Sequence, residues 1–344
     1  MSELVFISPI PAFYKINLYQ QISVHKKVHA IFLSENTSEV RGKDFLKQTN
    51  SFRKSFLSKG TYQQRNRLKN SLKLYKLLQK EKPKRLLIGG WDALEYWIAI
   101  ILFSKKIRIE LVLESSLIES STKGYKGLLK RFFLKRIEKV FASGKSHKDL
   151  IQRLNFRGRV IFTKGVGIIN KEKKVSPLKF YEKNFLFIGR LDKVKNLEFL
   201  ISCFNENPSL NLNIIGEGPL EVNLKNQVTS NNIKFVGSVH NKDLCSYFSN
   251  TNYLILPSIS ETWGLVTEEA FYNGVPVLIS KNCGSCQLVE NEKNGFIFDP
   301  YISQSLNSIL SNITSEIYNK QCSYIKSNHI DLKDKKQVEA YLAN

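Results

Sequence analysis

Cysteine is scarce in this chain: five residues in 344, at 203, 245, 283, 286 and 322, odd in number and scattered. That excludes a disulfide scaffold and agrees with a reducing compartment. Only Cys283-Gly-Ser-Cys286 has metal or redox spacing, and no second pair completes a zinc site, so the two thiols are expected to fill a turn around Gly284. Long apolar runs are missing too. The longest, Tyr96–Phe103, falls far short of the roughly 20 residues that a spanning helix needs. The opening MSELVFISPIP lacks the charged start and cleavage pattern of a secretory signal, so a cytosolic protein is expected. Gly216-Glu217-Gly218 lacks the third glycine of a dinucleotide fingerprint and on its own reads as a turn. No pair of carboxylates suggests a metal, and none is expected.

Acidic residues are what the first half lacks. Residues 1–170 hold 34 Lys and Arg against 12 Asp and Glu, whereas residues 171–344 hold 18 of each, so the whole formal charge of +22 lies in the first half. A general bias toward lysine would raise both halves; a partner of opposite sign accounts for the split. Fifteen cations fall within Arg41–Arg85 against Asp44 and Glu81. A second cluster, Lys123–Arg136, carries Leu128, Leu129, Phe132, Phe133 and Ile137 at helical spacing beside Lys130, Arg131, Lys135 and Arg136. That stripe has two readings, a buried helix face or a helix lying on a membrane surface. Each cation near an anionic leaflet contributes about 1 kcal/mol, so such clusters can dock a chain without any spanning segment. The expected partner is the anionic inner face of the cytoplasmic membrane. Nucleic acid is the competing polyanion, but no stacking, zinc or helix-turn-helix pattern accompanies the cations, and it is not the partner expected.

What is present throughout is alternation of apolar strands with helical segments. Leu4–Ile7, Val28–Leu33, Leu86–Ile88, Ile109–Leu113, Val140–Ala142 and Val160–Phe162 read as strands in the first half. From Phe185 to about Ile313, strands alternate with helical segments at 195–206, 219–229, 241–249, 264–273 and 301–313. The fold class expected is α/β, with two doubly wound domains, 1–170 and 171–344, each a parallel sheet covered by helices. Lys171–Pro177, polar and closed by proline, is the expected linker, and the tail after Ser315 supplies helices that could return to the first domain.

The stretch LILPSISETWGLVTEEAFYNGVPVLIS, Leu254–Ser280, reads as strand, loop, short helix and strand, with Glu261 in the loop and Glu269 in the helix. Gly274 and Pro276 stop that helix. The N–H groups around Gly264 and Leu265 would carry partial positive charge suited to a phosphate. Upstream, FLFIGRLDKVKN begins at Phe185: a strand ending at Gly189, followed by the cations Arg190 and Lys195. As ordinary surface features, these would be solvated caps and helix-capping acids.

Together these stretches resemble the large retaining glycosyltransferase family numbered 4, with its Glu-x7-Glu signature. The match runs over Pro257-Ser258, Glu261, Gly264, Glu269-Ala270 and Gly274-Val275-Pro276-Val277. The resemblance implies a GT-B architecture, two domains facing across a cleft, and transfer of a sugar from a nucleotide diphosphate sugar with retention. It implies that Arg190 and Lys195 hold the donor diphosphate, Glu261 the hydroxyls of the transferred sugar, and Glu269 the ribose. Gly189, Gly216, Val239, Gly264, Leu265 and Val266 would line the donor site, without a metal or other cofactor, and a UDP-sugar is the default donor. His240 near the base reads as a surface residue. The acceptor expected is a lipid-linked or growing glycan, in bacterial surface polysaccharide or lipopolysaccharide synthesis. A catalytically idle glycan-binding relative, or an epimerase or phosphorylase of the same architecture, are the alternatives.

On the acceptor side, the first strand runs into Pro9-Ile10-Pro11-Ala12-Phe13-Tyr14-Lys15, where many family members carry glycines. Lys15 is therefore a candidate for the cleft. Where the family commonly has a histidine after a middle strand, this chain has Glu114-Ser115-Ser116, and Gly89-Gly90-Trp91-Asp92 follows the preceding strand. Lys15, Trp91 and Glu114 are the acceptor-side candidates, Glu114 either orienting an acceptor hydroxyl or capping a buried turn.

Overall fold

The computed structural model describes residues 2–343 apart from 40–44, 48, 50, 172–174, 179 and 329. Arg41, Lys43 and Asp44 of the first basic segment, and Glu172–Lys174 of the expected linker, lie outside the described residues. The chain divides into two units, residues 1–168 with 334–344, and residues 169–333.

The first unit is built on seven strands: β1 (Leu4–Ser8), β2 (Val28–Phe32), β3 (Arg53–Phe56), β4 (Arg85–Ile88), β5 (Arg108–Leu113), β6 (Lys139–Ala142) and β7 (Arg159–Phe162). They form one parallel sheet in the order β3-β2-β1-β4-β5-β6-β7. Strands buried on both faces need continuous apolar runs, and LVFIS in β1 is buried at every position. Helices α1 (Phe13–Ser23), α2 (Arg67–Glu81), α3 (Leu94–Phe103), α4 (Gly124–Leu134) and α5 (Lys145–Arg153) connect them. Local chemistry sets the bounds of α2: the Asn66 side chain accepts from Lys69 N at 2.9 Å, and Lys82 at φ +43 ends it before Pro83. The apolar run Tyr96–Phe103 lies in α3, and no described helix is long and apolar enough to cross a membrane. Strand β3 was not expected from its sequence. RKSF is basic and sits at the sheet edge, where one side stays wet and the apolar signature is lost.

A buried charge cluster ties the amino ends of these strands together. Glu110 takes a bidentate contact from Arg85 at 3.0 and 2.7 Å, with Arg108 at 3.3 Å and Lys139 at 3.8 Å. One carboxylate faces three cations. Arg85 also donates to Tyr341 O at 2.9 Å, and Lys139 to Ala343 O at 3.4 Å. The last residues of α12 (Ile330–Leu342) thus bring partial negative charge from a helix C-terminus to the surplus cations. Tyr341 stacks on Phe141 at 4.4 Å and completes that layer.

The second unit has six strands: β8 (Asn184–Ile188), β9 (Asn211–Ile215), β10 (Ile233–Gly237), β11 (Tyr253–Leu256), β12 (Val277–Ser280) and β13 (Gly295–Phe298). Their order, β10-β9-β8-β11-β12-β13, is the doubly wound 3-2-1-4-5-6 arrangement, with the direction of winding reversing between β8 and β11. Helices α6 (Leu197–Asn205), α7 (Glu221–Asn226), α8 (Leu244–Phe248), α9 (Val266–Tyr272) and α10 (Ser303–Asn312) fall on the five helical segments expected, followed by α11 (Ser315–Ser327). Each unit has its own apolar cores. Both units are thus doubly wound parallel α/β domains.

Candidate donor site

In an open parallel sheet the crevice for a ligand lies beyond the carboxyl ends of the strands, where the winding reverses. In the second unit that point lies between β8 and β11. The segments carrying Arg190, Lys195 and Glu261 leave from those two strands.

After β8 the chain passes through Gly189, whose N–H donates to Ile215 O at 3.0 Å, and Leu191, whose N–H donates to Glu217 O at 3.0 Å. This loop lies directly on the loop after β9. A Cβ at Gly216, where φ is +138°, would stand 1.9 Å from Gly189 O, and one at Gly218 would stand 2.3 Å from Leu191 O. Gly216-Glu217-Gly218 is more than a turn: its glycines let two loops touch at the mouth of the sheet. Gly216 N also donates to Gly237 O at 2.9 Å, tying in the end of β10.

Lys195 closes a single 3-10 turn, Lys193–Lys195, and the next residue, Asn196, takes a left-handed φ of +57°. The Asn196 side chain donates to Pro300 O at 2.9 Å and to Pro257 O at 3.3 Å, and Ile259 N donates to Val194 O at 2.9 Å. The Lys195 turn is therefore pinned to the loop after β11, and its ammonium forms an ion pair with the Glu261 carboxylate. Sequence reasoning gave these two residues separate tasks and did not foresee their contact, because they stand 66 positions apart. Arg190 is exposed, with Nε 3.6 Å from Asp192 Oδ2, too long for a hydrogen bond.

The Glu261 loop is clamped from its other side as well. Gly284 N donates to Glu261 O at 2.9 Å and Ser285 N to Trp263 O at 2.8 Å, while a Cβ at Gly284 would meet Thr262 O at 2.0 Å. Cys283 is buried in this contact, and burial pushes its thiol well above the usual range. Both cysteines of the Cys283–Cys286 pair thus belong to a 3-10 turn, Gly284–Leu288, and its approach.

Helix α9 has seven residues, and its first N–H groups are partly used: Thr267 N donates to Gly264 O, and Glu268 N and Glu269 N both reach Leu265 O. The donors left for an anion belong to Gly264, Leu265 and Val266. Glu268, unremarked in the sequence, is fully buried; it accepts from Trp263 Nε1 at 2.6 Å and pairs with Lys333 at 2.6 Å. That pair fixes the face α9 turns inward and leaves Glu269 half-buried, lining a small cavity with Asn170, Asn241, Leu244, Phe248 and Tyr272. Val239 packs on the same unit's core, and His240 is exposed.

In the first unit, Lys15 and Glu114 come together at 2.7 Å, with Lys15 only 4% exposed. Burial pulls the Lys15 pKa down, but the Glu114 charge and Tyr19 outweigh it, and the net shift is upward. Tyr19 bonds Ser8 at 2.6 Å, and burial pushes its hydroxyl up to about 12. Trp91 turns into the core, edge-on to Phe133 at 6.3 Å and beneath Lys130 at 5.3 Å. His147, which sequence reasoning passed over, is fully buried beside the Glu114 backbone, and burial pushes it down to about 4.

The basic clusters divide on inspection. Arg53, Arg65 and Arg85 of the first segment are structural partners of Glu81, Glu95 and Glu110. In the second, Lys130 donates to Ser120 Oγ at 2.6 Å and Ser121 O at 2.8 Å, so it is no free surface charge. Phe133 and Ile137 are buried, whereas Leu128, Leu129 and Phe132 are exposed. The buried-face reading of that stripe thus holds for Phe133 and Ile137 and not for the other three.

Residues 168–329 match the family described as glycosyl transferases group 1. The sulfoquinovosyl transferase SQD2 of Arabidopsis thaliana is 30% identical over 118 residues, 33% of this chain and 23% of that protein. Four curated relatives are matched over 23% to 60% of their length, so the chain spans less than two thirds of each. Among solved structures, sucrose-phosphate synthase from Thermosynechococcus elongatus superposes with a TM-score of 0.75 at 16% identity, over 99% of this chain and 98% of that one. The Anabaena protein HepE in complex with UDP and glucose superposes with a TM-score of 0.71 at 15% identity, over 100% of each. These structures share the fold of both units. The second unit of this chain thus matches the glycosyl transferases group 1 family over residues 168–329, in a fold that these solved structures share.

Proposed function

We propose that this protein is a retaining glycosyltransferase that moves a sugar from a nucleotide diphosphate sugar to a lipid-linked or growing glycan acceptor. The observation that carries the reading is the convergence of Lys195 and Glu261 at the point where the sheet reverses its winding. As the glycosidic bond of the donor breaks, negative charge grows on the diphosphate. Fixed cations that meet it there lower the barrier. Arg190 contributes a fork that can grip two oxygens, and Lys195 a point charge. The glycine-packed loops at 189 and 216 and the N–H groups at Gly264–Val266 line the phosphate side. Glu261 takes the hydroxyls of the transferred sugar and Glu269 those of the ribose. HepE was solved with UDP, which favours a UDP-sugar as the donor to test first.

The resemblance supplies retention: the acceptor attacks on the face from which the diphosphate leaves, and the leaving phosphate helps take the acceptor proton. Lys15 and Glu114 lie after β1 and β5 of the first sheet, whose winding reverses between β1 and β4, and form the acceptor side of this reading. The surplus charge of the first half supports work at the inner face of the cytoplasmic membrane, and the resemblance supports surface polysaccharide or lipopolysaccharide assembly as its setting.

Calorimetry with UDP separates the two acids. Glu269→Ala weakens UDP binding by about tenfold or more, since a hydrogen bond to a charged group contributes about 1.5–3 kcal/mol. Glu261→Ala leaves UDP binding unchanged or tighter, because it releases Lys195 from its ion pair toward the diphosphate, yet it abolishes transfer. Equal losses of affinity in both variants contradict the assigned roles.

A further inference from the structure

Helix α4 exposes Tyr125, Leu128, Leu129 and Phe132, from 43% to 70%. At about 100° per residue these four occupy an arc of roughly 100°, one continuous stripe. Such a stripe left uncovered on a monomer marks an interaction surface. Arg131 and Lys135 border it on one side, and Arg136 covers the Phe132 ring at 4.0 Å.

Beside that border lies a cavity of about 430 Å³ between the end of α4 and the turn that follows α5. Its apolar wall is Leu134, Ile137 and Leu154, and its charged lining is Arg131, Lys135 and Arg157, with no carboxylate. The nearby acid Glu138 is held by Arg108 at 2.7 Å. None of the three cations has an ion-pair partner among the described residues, and Arg131 Nε is buried without a hydrogen-bond acceptor. Arg131 is half-buried and Lys135 and Arg157 are exposed at the hollow, so an anion that enters meets three cations and no competing carboxylate.

We propose that this cavity binds the phosphate of an anionic lipid while the exposed stripe of α4 lies in the bilayer surface. The cavity supplies cations and an apolar wall, and the stripe beside it takes acyl chains, so the pair of features matches an amphiphile with a phosphate head. The inference rests on the membrane reading above and refines it from diffuse charge to one place. It uses the first unit alone and is independent of donor binding by the second.

The test is sedimentation of the full chain with phosphatidylglycerol vesicles and with phosphatidylcholine vesicles. The wild type partitions at least about tenfold more strongly to phosphatidylglycerol. Replacing Arg131, Lys135 and Arg157 by glutamine weakens this by about tenfold or more, and so does Leu128→Ser with Phe132→Ser. Replacing Lys69, Lys76 and Lys80 on α2 by glutamine removes the same charge and weakens binding by no more than about threefold. Glycerol phosphate in solution, which offers the head without the bilayer, does not compete at millimolar concentration. A thermal melt of every variant, with the transition of the first unit unchanged, confirms an intact fold. Equal losses in the two triple variants overturn the cavity site in favour of net charge, and competition by glycerol phosphate overturns the lipid in favour of a free phosphate ester. A wild type that ignores phosphatidylglycerol overturns the membrane reading itself, with sugar transfer untouched.

Discussion

Lys195→Ala and Arg190→Ala each lower turnover by about a hundredfold or more, because removing one group that stabilises developing charge costs about 3–4 kcal/mol at the transition state. The two variants differ in how they do so. Lys195 is held by a left-handed residue, by Asn196 bonds to two carbonyls and by the Glu261 carboxylate, so its loss also leaves Glu261 without its counter-charge. Arg190 stands exposed and only loosely near Asp192, so Arg190→Ala removes a cation and nothing else. Asn196→Ala is the control for positioning: it lowers turnover while both cations remain. The assay is release of the nucleoside diphosphate from the donor sugar. Rates near wild type in both cation variants would place the diphosphate elsewhere.

Glu110→Gln destabilises the first unit by about 3–5 kcal/mol, the range for breaking a buried ion pair by removing one partner. The reason is the arithmetic of the cluster. Without Glu110, Arg85 and Lys139, both nearly inaccessible to solvent, face only the carbonyls of Tyr341 and Ala343. Lys139→Met costs less, since Glu110 keeps its bidentate Arg85. In thermal melts followed by calorimetry, the transition of the first unit falls by about 10 °C in Glu110→Gln and by less in Lys139→Met. A larger drop in the lysine variant would mean that the Lys139 ammonium contributes more to the cluster than the Glu110 carboxylate, against this balance.

These two clusters also show what a sequence reveals and what it hides. The strands of both units were legible because a parallel strand covered on both faces must be apolar at nearly every position, as in LVFIS and YLIL. RKSF in β3 was hidden for the opposite reason, being a strand whose edge faces water. GFIF in β13 is an edge strand whose two middle residues are only half-buried. Within the candidate site, the order of strand, loop and helix around Glu261 and Glu269 was legible. The Lys195–Glu261 pair was not, since contact across 66 residues follows from sheet order rather than spacing. Glu268 was hidden beside its neighbour: two adjacent acids on a helix point about 100° apart, and only packing against Trp263 and Lys333 decides which one is buried. The α4 stripe divided between core and surface because its apolar residues lie on two arcs, of which one packs inward.

Binding of a nucleotide diphosphate sugar by the second unit is read out by a thermal-shift screen. A ligand that binds only the folded state raises the melting temperature, by about 2.7 kcal/mol of stabilisation at a hundred times its dissociation constant. UDP-, GDP-, ADP- and dTDP-sugars are compared at equal concentration on the wild type and on Glu269→Ala. One nucleotide series, UDP first, raises the melting point of the wild type, and Glu269→Ala loses most of that rise. No rise with any of the four, or a rise that Glu269→Ala retains in full, contradicts it.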